Sequence, residues 1–224
     1  MMIDSTGKDC VCTVKIYVQQ VWFIPEFVGM VDIETELCYD GDNFGKDGYK
    51  MKKLEEYVVS IPDFPEPGII FRDVTSILQD PDGLHLAIDQ LIDMVKDLEF
   101  DVVVGAESRG FIFGTPVAYE LHKSFVPARK PGKLPRETVS REYELEYGKG
   151  TIELHKDSIK PGQKVVIIDD LIATGGTVEA IAKLVEDLGG EVVKICFVME
   201  LAGLEGRKKL QGYNVESALI YEGK

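Results

Sequence analysis

The sequence has 224 residues, of which 45% are hydrophobic, and this is enough chain to bury one sizeable core. Its formal net charge of −14 repels nucleic acid and anionic lipid at long range, so a bound phosphate must be held by local geometry. No apolar run approaches the roughly 18 residues that span a bilayer, and the start lacks the layout of a secretory signal. We therefore expect a cytoplasmic protein. Its four cysteines form no pair of CxxC units for zinc, so reduced thiols are expected at Cys10, Cys12, Cys38 and Cys196.

The first fifty residues differ in composition from the rest of the chain. They carry four Lys against nine Asp and Glu and end in a Gly/Asp-rich stretch at 40–48, which is typical of a linker. Residues 11–24 contain enough β-branched and aromatic side chains to form a strand. We therefore predict an N-terminal extension of unknown role at 1–50 and one domain at 51–224, with Met51 as a plausible natural start.

Two helices are predicted next. A short first helix is indicated by Leu54, Tyr57, Val58 and Ile61, and Pro62 ends it. The sequence Asp80-Pro81-Asp82 is a helix start signal. The apolar stripe that follows it has 3.6-residue spacing and predicts an amphipathic helix with these inward positions: Leu84, Ala87, Ile88, Leu91, Ile92, Val95 and Leu98.

The remaining pattern alternates strands and helices. Apolar runs at 102–104 and 164–168 each lead through a glycine-bearing turn into an apolar helical segment, and further strands are predicted at 192–199 and 217–221. The second helical stripe runs from Val178 to Leu188. This alternation predicts a parallel α/β sheet. Residues 141–159 alternate around 148–150 and predict an antiparallel hairpin or a flexible loop.

The most informative stretch is 165–177, where a buried strand ends in Asp169 and Asp170 and a small-residue loop then opens a helix. In an open parallel sheet ligands bind at the carboxyl ends of the strands, so we expect both carboxylates to face that crevice. The glycines let backbone N–H groups converge at a helix N-terminus, and Thr174 and Thr177 add hydroxyl donors. This combination predicts a site for a phosphate monoester.

Other phosphate motifs fit this stretch poorly. A Walker loop needs Gly-Lys-Ser/Thr, but here Thr177 and Val178 follow the glycines, and the dinucleotide pattern G-x-G-x-x-G is also missing. The structural alternative is a strand-end turn with a helix cap, which does not explain the whole pattern.

The stretch resembles the phosphoribosyl pyrophosphate signature of type I phosphoribosyltransferases. The resemblance implies their α/β fold, with a central, mostly parallel sheet flanked by helices, a small hood and a flexible catalytic hairpin or loop. It also implies that Asp169 and Asp170 hold the ribose hydroxyls and stabilise an oxocarbenium-like transition state. The positions that match the family's 5′-phosphate loop are Ala173, Thr174, Gly175, Gly176 and Thr177.

Two further segments suggest a pyrophosphate site. Residues 105–111 follow an apolar strand and could be a plain turn with a surface arginine, but they resemble the family's pyrophosphate loop. The run at 129–136 holds four cations, which fits either a solvated loop or a mobile basic lid. By resemblance the lid can act from a neighbouring subunit, which implies a homodimer. The candidate pyrophosphate-binding residues are Glu107, Ser108, Arg109, Arg129, Lys130 and Lys133.

Base recognition is implied by resemblance to the adenine-specific members of the family. Residues 64–73 match their base-binding segment, so we expect Ile70, Phe71 and Arg72 to contact adenine, with Leu201 on the opposite wall. A proline-rich turn with a core phenylalanine is the alternative. Residues 145–148 match the family's catalytic loop, which makes Glu146 the candidate acid/base near the purine N7, with Tyr147 closing the site.

The resemblance covers nearly all of 51–224 and implies a reaction of adenine with 5-phosphoribosyl-1-pyrophosphate to give AMP and pyrophosphate. Mg²⁺ is expected, held mainly through the substrate's pyrophosphate. Two alternatives stay open, an enzyme for another purine such as hypoxanthine or xanthine, and a non-catalytic regulator that senses the sugar pyrophosphate. The regulator would need a winged-helix pattern or a broad basic face, and the sequence shows neither, so no nucleic-acid or membrane partner is expected.

Overall fold

The structure, a computed structural model, describes residues 52–144 and 148–223. The predicted strand at 11–24, the linker at 40–48 and the candidate residues Glu146 and Tyr147 lie outside these ranges. Short 3-10 turns occur at Leu54–Tyr57, Ala202–Leu204 and Gly206–Leu210. The strands and α-helices are, in chain order, β1 (Val59–Pro62), β2 (Ile70–Asp73), α1 (Thr75–Leu78), α2 (Pro81–Val95), β3 (Val102–Ala106), α3 (Gly110–Glu120), β4 (Ser124–Ala128), β5 (Thr138–Glu144), β6 (Lys149–His155), β7 (Lys164–Ile172), α4 (Gly176–Asp187), β8 (Glu191–Leu201) and β9 (Val215–Tyr221).

Five strands form one parallel sheet in the order β4-β3-β7-β8-β9. Helices α2 and α3 pack on one face of this sheet and α4 on the other, so the central strands are buried on both sides. Strands covered in this way are expected to be continuous apolar runs, as Val102–Ala106 is. The predicted parallel α/β architecture is confirmed.

The strand order reverses between β3 and β7. From β3 the chain crosses through α3 to β4 at one side, and from β7 it crosses through α4 to β8 at the other. The loops that follow these two neighbouring strands therefore diverge and leave a crevice at their carboxyl ends. Open α/β sheets bind ligands at such a point.

Helix α2 begins as its sequence predicts. The Asp80 side chain accepts hydrogen bonds from the backbone N–H groups of Asp82 and Gly83, at 2.9 and 3.3 Å, and Pro81 occupies the first turn. Ala87, Leu91 and Val95 are fully buried against the sheet. The helix ends at Val95, so Leu98, which was assigned to the stripe, packs against the core from the following turn.

The predicted first helix is wrong beyond Tyr57. A single 3-10 turn covers Leu54–Tyr57, and the chain then enters β1, whose Ile61 lies opposite Phe71 in an antiparallel pairing with β2. The β-branched residues after Tyr57 fit a pleated strand, and β2 supplies the backbone partners that a helix would have supplied internally. The resulting β1–β2 hairpin forms the small hood.

An antiparallel hairpin is confirmed, because β5 and β6 pair from Thr138 opposite His155 to Glu144 opposite Lys149. Its position differs from the predicted one, since Lys149 and Gly150 belong to β6 and not to the turn, and the hairpin ends at His155 and not at Ile159. Helix α3 is the apolar helical segment predicted after the run at 102–104, although its Gly114 and Pro116 lie in an almost uniformly apolar run with no clear period. No sequence pattern indicated strand β4. None of the helices in the described part of the chain is long and apolar enough to cross a membrane.

Candidate active site

Two adjacent carboxylates lie near the carboxyl end of β7, in the crevice between β3 and β7. The strand is two residues longer than the sequence predicted, because Leu171 and Ile172 still pair with β8. Asp169 is half-buried, and Asp170 is only 5% exposed. The Asp170 backbone N–H donates a hydrogen bond of 2.9 Å to Asp169 Oδ1. Burial raises the pKa of the Asp169 carboxyl well above its ordinary value, and the negative charge of Asp170 raises it further.

The loop after β3 packs directly on this pair. A Cβ on Gly110 would lie 2.8 Å from the Ile168 carbonyl oxygen and 2.9 Å from Asp169 Oδ1, so only glycine permits the approach. Arg109 Nε lies 2.5 Å from Asp170 Oδ2. That oxygen is buried and receives no well-aligned hydrogen bond from the described residues, so charge attraction alone links it to Arg109. The fold therefore brings the segment 105–111 into contact with the acidic pair, two features that the sequence indicated separately.

The loop at 173–177 leads from β7 into α4, whose N-terminus points into the same crevice. Gly175 adopts a left-handed conformation with φ of 76°, and α4 begins at Gly176. A Cβ on Gly175 would lie 2.5 Å from the Gly206 carbonyl oxygen. The 3-10 turn Gly206–Leu210 is therefore packed tightly against the loop, a contact that no local pattern in the sequence indicates.

A buried ion pair anchors that turn. Glu200 is 5% exposed, and its carboxylate accepts hydrogen bonds from Arg207 Nε, at 2.7 and 2.9 Å, and from the Ser217 hydroxyl at 2.8 Å. Burial would raise the pKa of Glu200, but the bonds from Arg207 and Ser217 outweigh it and lower the pKa. No local sequence pattern marks this network, because its members come from different elements.

The basic segment is attached to the loop after β3 through Glu107. Its Oε2 accepts hydrogen bonds from the Lys130 backbone N–H at 2.8 Å and from Arg129 Nε at 3.2 Å. Burial raises the pKa of Glu107, but these donors reverse the effect and the net pKa is lowered. Arg129 also contacts the Lys133 carbonyl oxygen at 3.4 Å. The fourth cation, Arg136, lies 2.5 Å from Asp157, on the β6 side of the segment.

The candidate base-binding residues lie on the hood and at the edge of the sheet. Phe71 is half-buried and packs edge to face on Phe64, with ring centroids 5.3 Å apart. The Arg72 guanidinium stacks over the Tyr221 ring at 4.4 Å from its centroid, and Tyr221 pairs with Leu201 across β8 and β9. Ile70, on the same strand as Phe71, is 43% exposed.

Glu146 and Tyr147 lie outside the described residues, but the ends of the hairpin on either side of them are described. The Glu144 carbonyl oxygen is 2.9 Å from the point where a Cβ on Gly176 would lie, and the Tyr143 ring is 3.6 Å from it. The last described residue of β5, Glu144, therefore contacts the loop at 173–177. Within the described ranges, no group of three His, Cys, Asp or Glu side chains could hold a metal ion.

The fold and this crevice define a class of protein. The family described as "Phosphoribosyl transferase domain" matches residues 73–223, and the five-stranded parallel sheet is the type I phosphoribosyltransferase fold that the sequence predicted. Individual relatives give a more specific match than the family model. An adenine phosphoribosyltransferase of Lachnoclostridium phytofermentans is 71% identical over 174 residues, which is 78% of this chain and 100% of the relative.

Solved structures agree with the sequence comparison. The adenine phosphoribosyltransferase of Thermoanaerobacter pseudethanolicus is 52% identical with a TM-score of 0.72, and the match covers 75% of this chain and 100% of that one. The Saccharomyces cerevisiae enzyme, crystallised with adenine and an imino-altritol bisphosphate, is 40% identical with a TM-score of 0.69, covering 74% and 96%. The chain belongs to the adenine phosphoribosyltransferase family.

Proposed function

We propose that this chain transfers the 5-phosphoribosyl group of 5-phosphoribosyl-1-pyrophosphate to adenine, giving AMP and pyrophosphate, as a step of purine salvage. The observation that carries the proposal is the contact of Gly110 with Asp169, which brings the loop after β3 and the acidic pair of β7 to one crevice. A crevice with anion-binding loops on both sides of a carboxylate pair suits a sugar that carries phosphate groups at both ends.

Asp169 and Asp170 are proposed to bind the ribose 2′ and 3′ hydroxyls. Their negative charge favours the transition state, in which the anomeric carbon becomes cationic. The loop from Ala173 to Thr177 is proposed to bind the 5′-phosphate. Support comes from its position at the N-terminus of α4, where unpaired N–H groups and the helix dipole favour an anion.

The pyrophosphate is proposed to bind the backbone and side chains of Ser108 and Arg109, together with Arg129, Lys130 and Lys133. Glu107 is acidic and would repel pyrophosphate directly. Its hydrogen bonds to Arg129 and to the Lys130 backbone support a different contribution, which is to hold the basic segment beside the loop after β3. Arg109 would exchange its contact with Asp170 for the pyrophosphate when the substrate binds.

Adenine is proposed to bind between the hood and the end of β8. The Arg72 contact with Tyr221, and the pairing of Tyr221 with Leu201, support this by joining the hood to that end of the sheet. Phe71 and Leu201 would cover the purine faces, while main-chain groups of Ile70 and Arg72 would hydrogen-bond its edge. The yeast relative crystallised with adenine supports the choice of base.

In the reaction, purine N9 forms a bond to C1′ of the ribose as the bond from C1′ to the pyrophosphate oxygen breaks. Glu146 is proposed to accept the proton that the base loses at N7, and Tyr147 to shield the site from water. The contact of the Glu144 carbonyl oxygen with Gly176 supports a position of the hairpin beside the site. The assignment of Glu146 to N7 rests on the resemblance of residues 145–148 to the family's catalytic loop.

Mg²⁺ is proposed as the cofactor. The carboxylate pair offers the oxygen donors that Mg²⁺ prefers, and the buried Asp170 Oδ2 lacks an aligned hydrogen bond, so the site's chemistry fits the ion. When bound, the ion neutralises charge on the departing pyrophosphate, which is expected to supply most of its ligands.

A homodimer is proposed from the exposed apolar side chains of α3, because Ile112 is 43% and Tyr119 84% exposed. A second copy of the chain would cover them and could bring its own basic segment to the neighbouring site. A cytoplasmic location is proposed on the ground that purine salvage uses cytoplasmic metabolites.

An assay that supplies the sugar pyrophosphate and Mg²⁺ with adenine, hypoxanthine, xanthine or guanine in turn tests the function. We expect AMP from adenine, with the other bases slower by at least about 100-fold in kcat/KM, because mismatched polar edges would be left unpaired. Preference for an oxopurine would contradict the proposal, and binding of the sugar pyrophosphate without turnover of any base would favour the sensing regulator.

Glu146→Gln tests the acid/base assignment. We expect turnover to fall by about 100-fold or more with little change in KM for the sugar pyrophosphate, because the amide binds similarly but accepts no proton. Glu142→Gln is the matched control, since Glu142 lies on the same hairpin and pairs with Lys149 at 3.1 Å on its surface. Equal effects of the two substitutions on kcat would refute the assignment.

A further inference from the structure

The 3-10 turn Gly206–Leu210 carries three consecutive basic side chains, and two of them have acidic partners. Arg207 binds the buried Glu200 carboxylate at 2.7 Å, and Lys208 Nζ lies 2.6 Å from Glu205 Oε1. Lys209 makes no ion pair or hydrogen bond with any residue in the described ranges 52–144 and 148–223. Its charge is therefore available to an anion.

Lys209 projects to the loop that precedes α4. Its Nζ is 3.6 Å from the point where a Cβ on Gly176 would lie, and Gly176 is the first residue of that helix. The side chain is exposed, so the ammonium group can move by a few ångströms without disturbing the core.

The packing of the turn explains why this lysine is held there. A Cβ on Gly206 would overlap the Ala173 carbonyl oxygen, so the turn and the loop touch backbone to backbone. Arg207 fixes one end of the turn to β8 through Glu200, and Leu210 fixes the other by burial in the core, with 1% exposure. Lys209 therefore lies between two anchored residues of the turn, Arg207 and Leu210.

We propose that Lys209 binds the 5′-phosphate of the sugar substrate and of AMP, together with the loop at 173–177. This inference rests on the proposed function and adds a residue to it. The loop supplies only neutral N–H and hydroxyl donors, whereas a phosphate monoester carries close to two negative charges at neutral pH. In a chain with a net charge of −14, a cation beside the loop offsets the unfavourable long-range field and adds a charge-assisted hydrogen bond.

The test compares a ligand that has the phosphate with one that lacks it. AMP and adenosine are titrated calorimetrically into the full chain and into its K209Q, K209R and K208Q variants at one ionic strength. We expect K209Q to weaken AMP binding by about fivefold to tenfold, and adenosine binding by less than about twofold, because only the phosphate interaction is lost. K209R should retain most of the AMP affinity, and K208Q should match the unsubstituted chain for both ligands.

Several results would overturn the inference. AMP binding unchanged in K209Q, an equal loss in K208Q, or an equal loss for AMP and adenosine would each show that Lys209 does not contact the phosphate. Retained adenosine affinity in K209Q serves as evidence that the variant is folded. Failure of the proposed function gives a different result, since the unsubstituted chain would then show no measurable binding of AMP.

Discussion

Asp169 and Asp170 are adjacent carboxyls in a site that disfavours their joint ionisation. Burial and the neighbouring charge raise the pKa of Asp169, and Arg109 compensates only in part. Such an arrangement costs stability in the free protein, and binding sites commonly carry costs of this kind. The substrate's ribose hydroxyls and the charge that develops at C1′ would supply the missing partners.

Asp169→Asn should therefore stabilise the protein while it impairs use of the sugar pyrophosphate. A carboxyl whose pKa is raised by folding costs nothing well below its ordinary pKa, where it is protonated in both states. The cost grows as the pH rises through the raised native value. The variant's gain in Tm should thus be absent at about pH 3 and present at about pH 8.

Thermal unfolding at the two pH values measures the effect, and Asp187→Asn is the control. Asp187 is exposed and pairs with Arg141 at 2.7 Å, so its loss should leave Tm unchanged or slightly lower at about pH 8. A Tm for Asp169→Asn that does not exceed the unsubstituted value at the higher pH would contradict the argument.

At the scale of elements, the phosphate loop depends on the turn Gly206–Leu210 as much as on its own residues. Gly175 needs a left-handed φ and also faces the Gly206 carbonyl oxygen. The glycine pair within 165–177 predicted the loop, but its packing partner lies about thirty residues later and shows no motif of its own.

Gly175→Ala should destabilise the protein by about 3 kcal/mol, of which about 1 kcal/mol is the left-handed backbone and the rest is overlap with Gly206. Gly162→Ala separates the two contributions. Gly162 has a φ of 82° with nothing within 4 Å of its added Cβ, so we expect a cost of about 1 kcal/mol there. Chemical denaturation of both variants provides the measurement, and equal costs would show that the contact with Gly206 is not limiting.

At the scale of the whole molecule, residues 73–223 match the family, and the 174 residues aligned with the Lachnoclostridium relative account for all of that protein. The composition break near Met51 agrees with this extent. We therefore predict that the first fifty residues are dispensable for catalysis.

A chain that starts at Met51 should retain kcat/KM for adenine within about twofold, because a domain with its own core folds and functions without its flanking segments. Steady-state kinetics and the yield of soluble protein, compared with those of the full chain, are the measurements. A large loss of turnover or of solubility would assign residues 1–50 a part in the active protein.

Local pattern alone was sufficient for several elements. The stripe from Leu84 to Val95 and the acidic pair after an apolar strand both depend on residues that are close in the chain, so periodicity and turn chemistry identify them. The first helix failed because the choice between helix and strand at Val59–Pro62 depends on pairing with Ile70–Asp73, and a local window contains no information on that partner.

Tertiary packing determines which distant segments of the chain come into contact at the site. The contact of Gly110 with Asp169, the Glu200–Arg207 ion pair and the approach of Lys209 to Gly176 join residues separated by seven to about sixty positions. Nothing in the spacing of such residues indicates that they meet, because chain folding brings them together through the strand order. The amino-acid sequence therefore predicts which chemical groups form this site. The distances between these groups, and so the shifts in their pKa values, are determined by the sheet that brings them together.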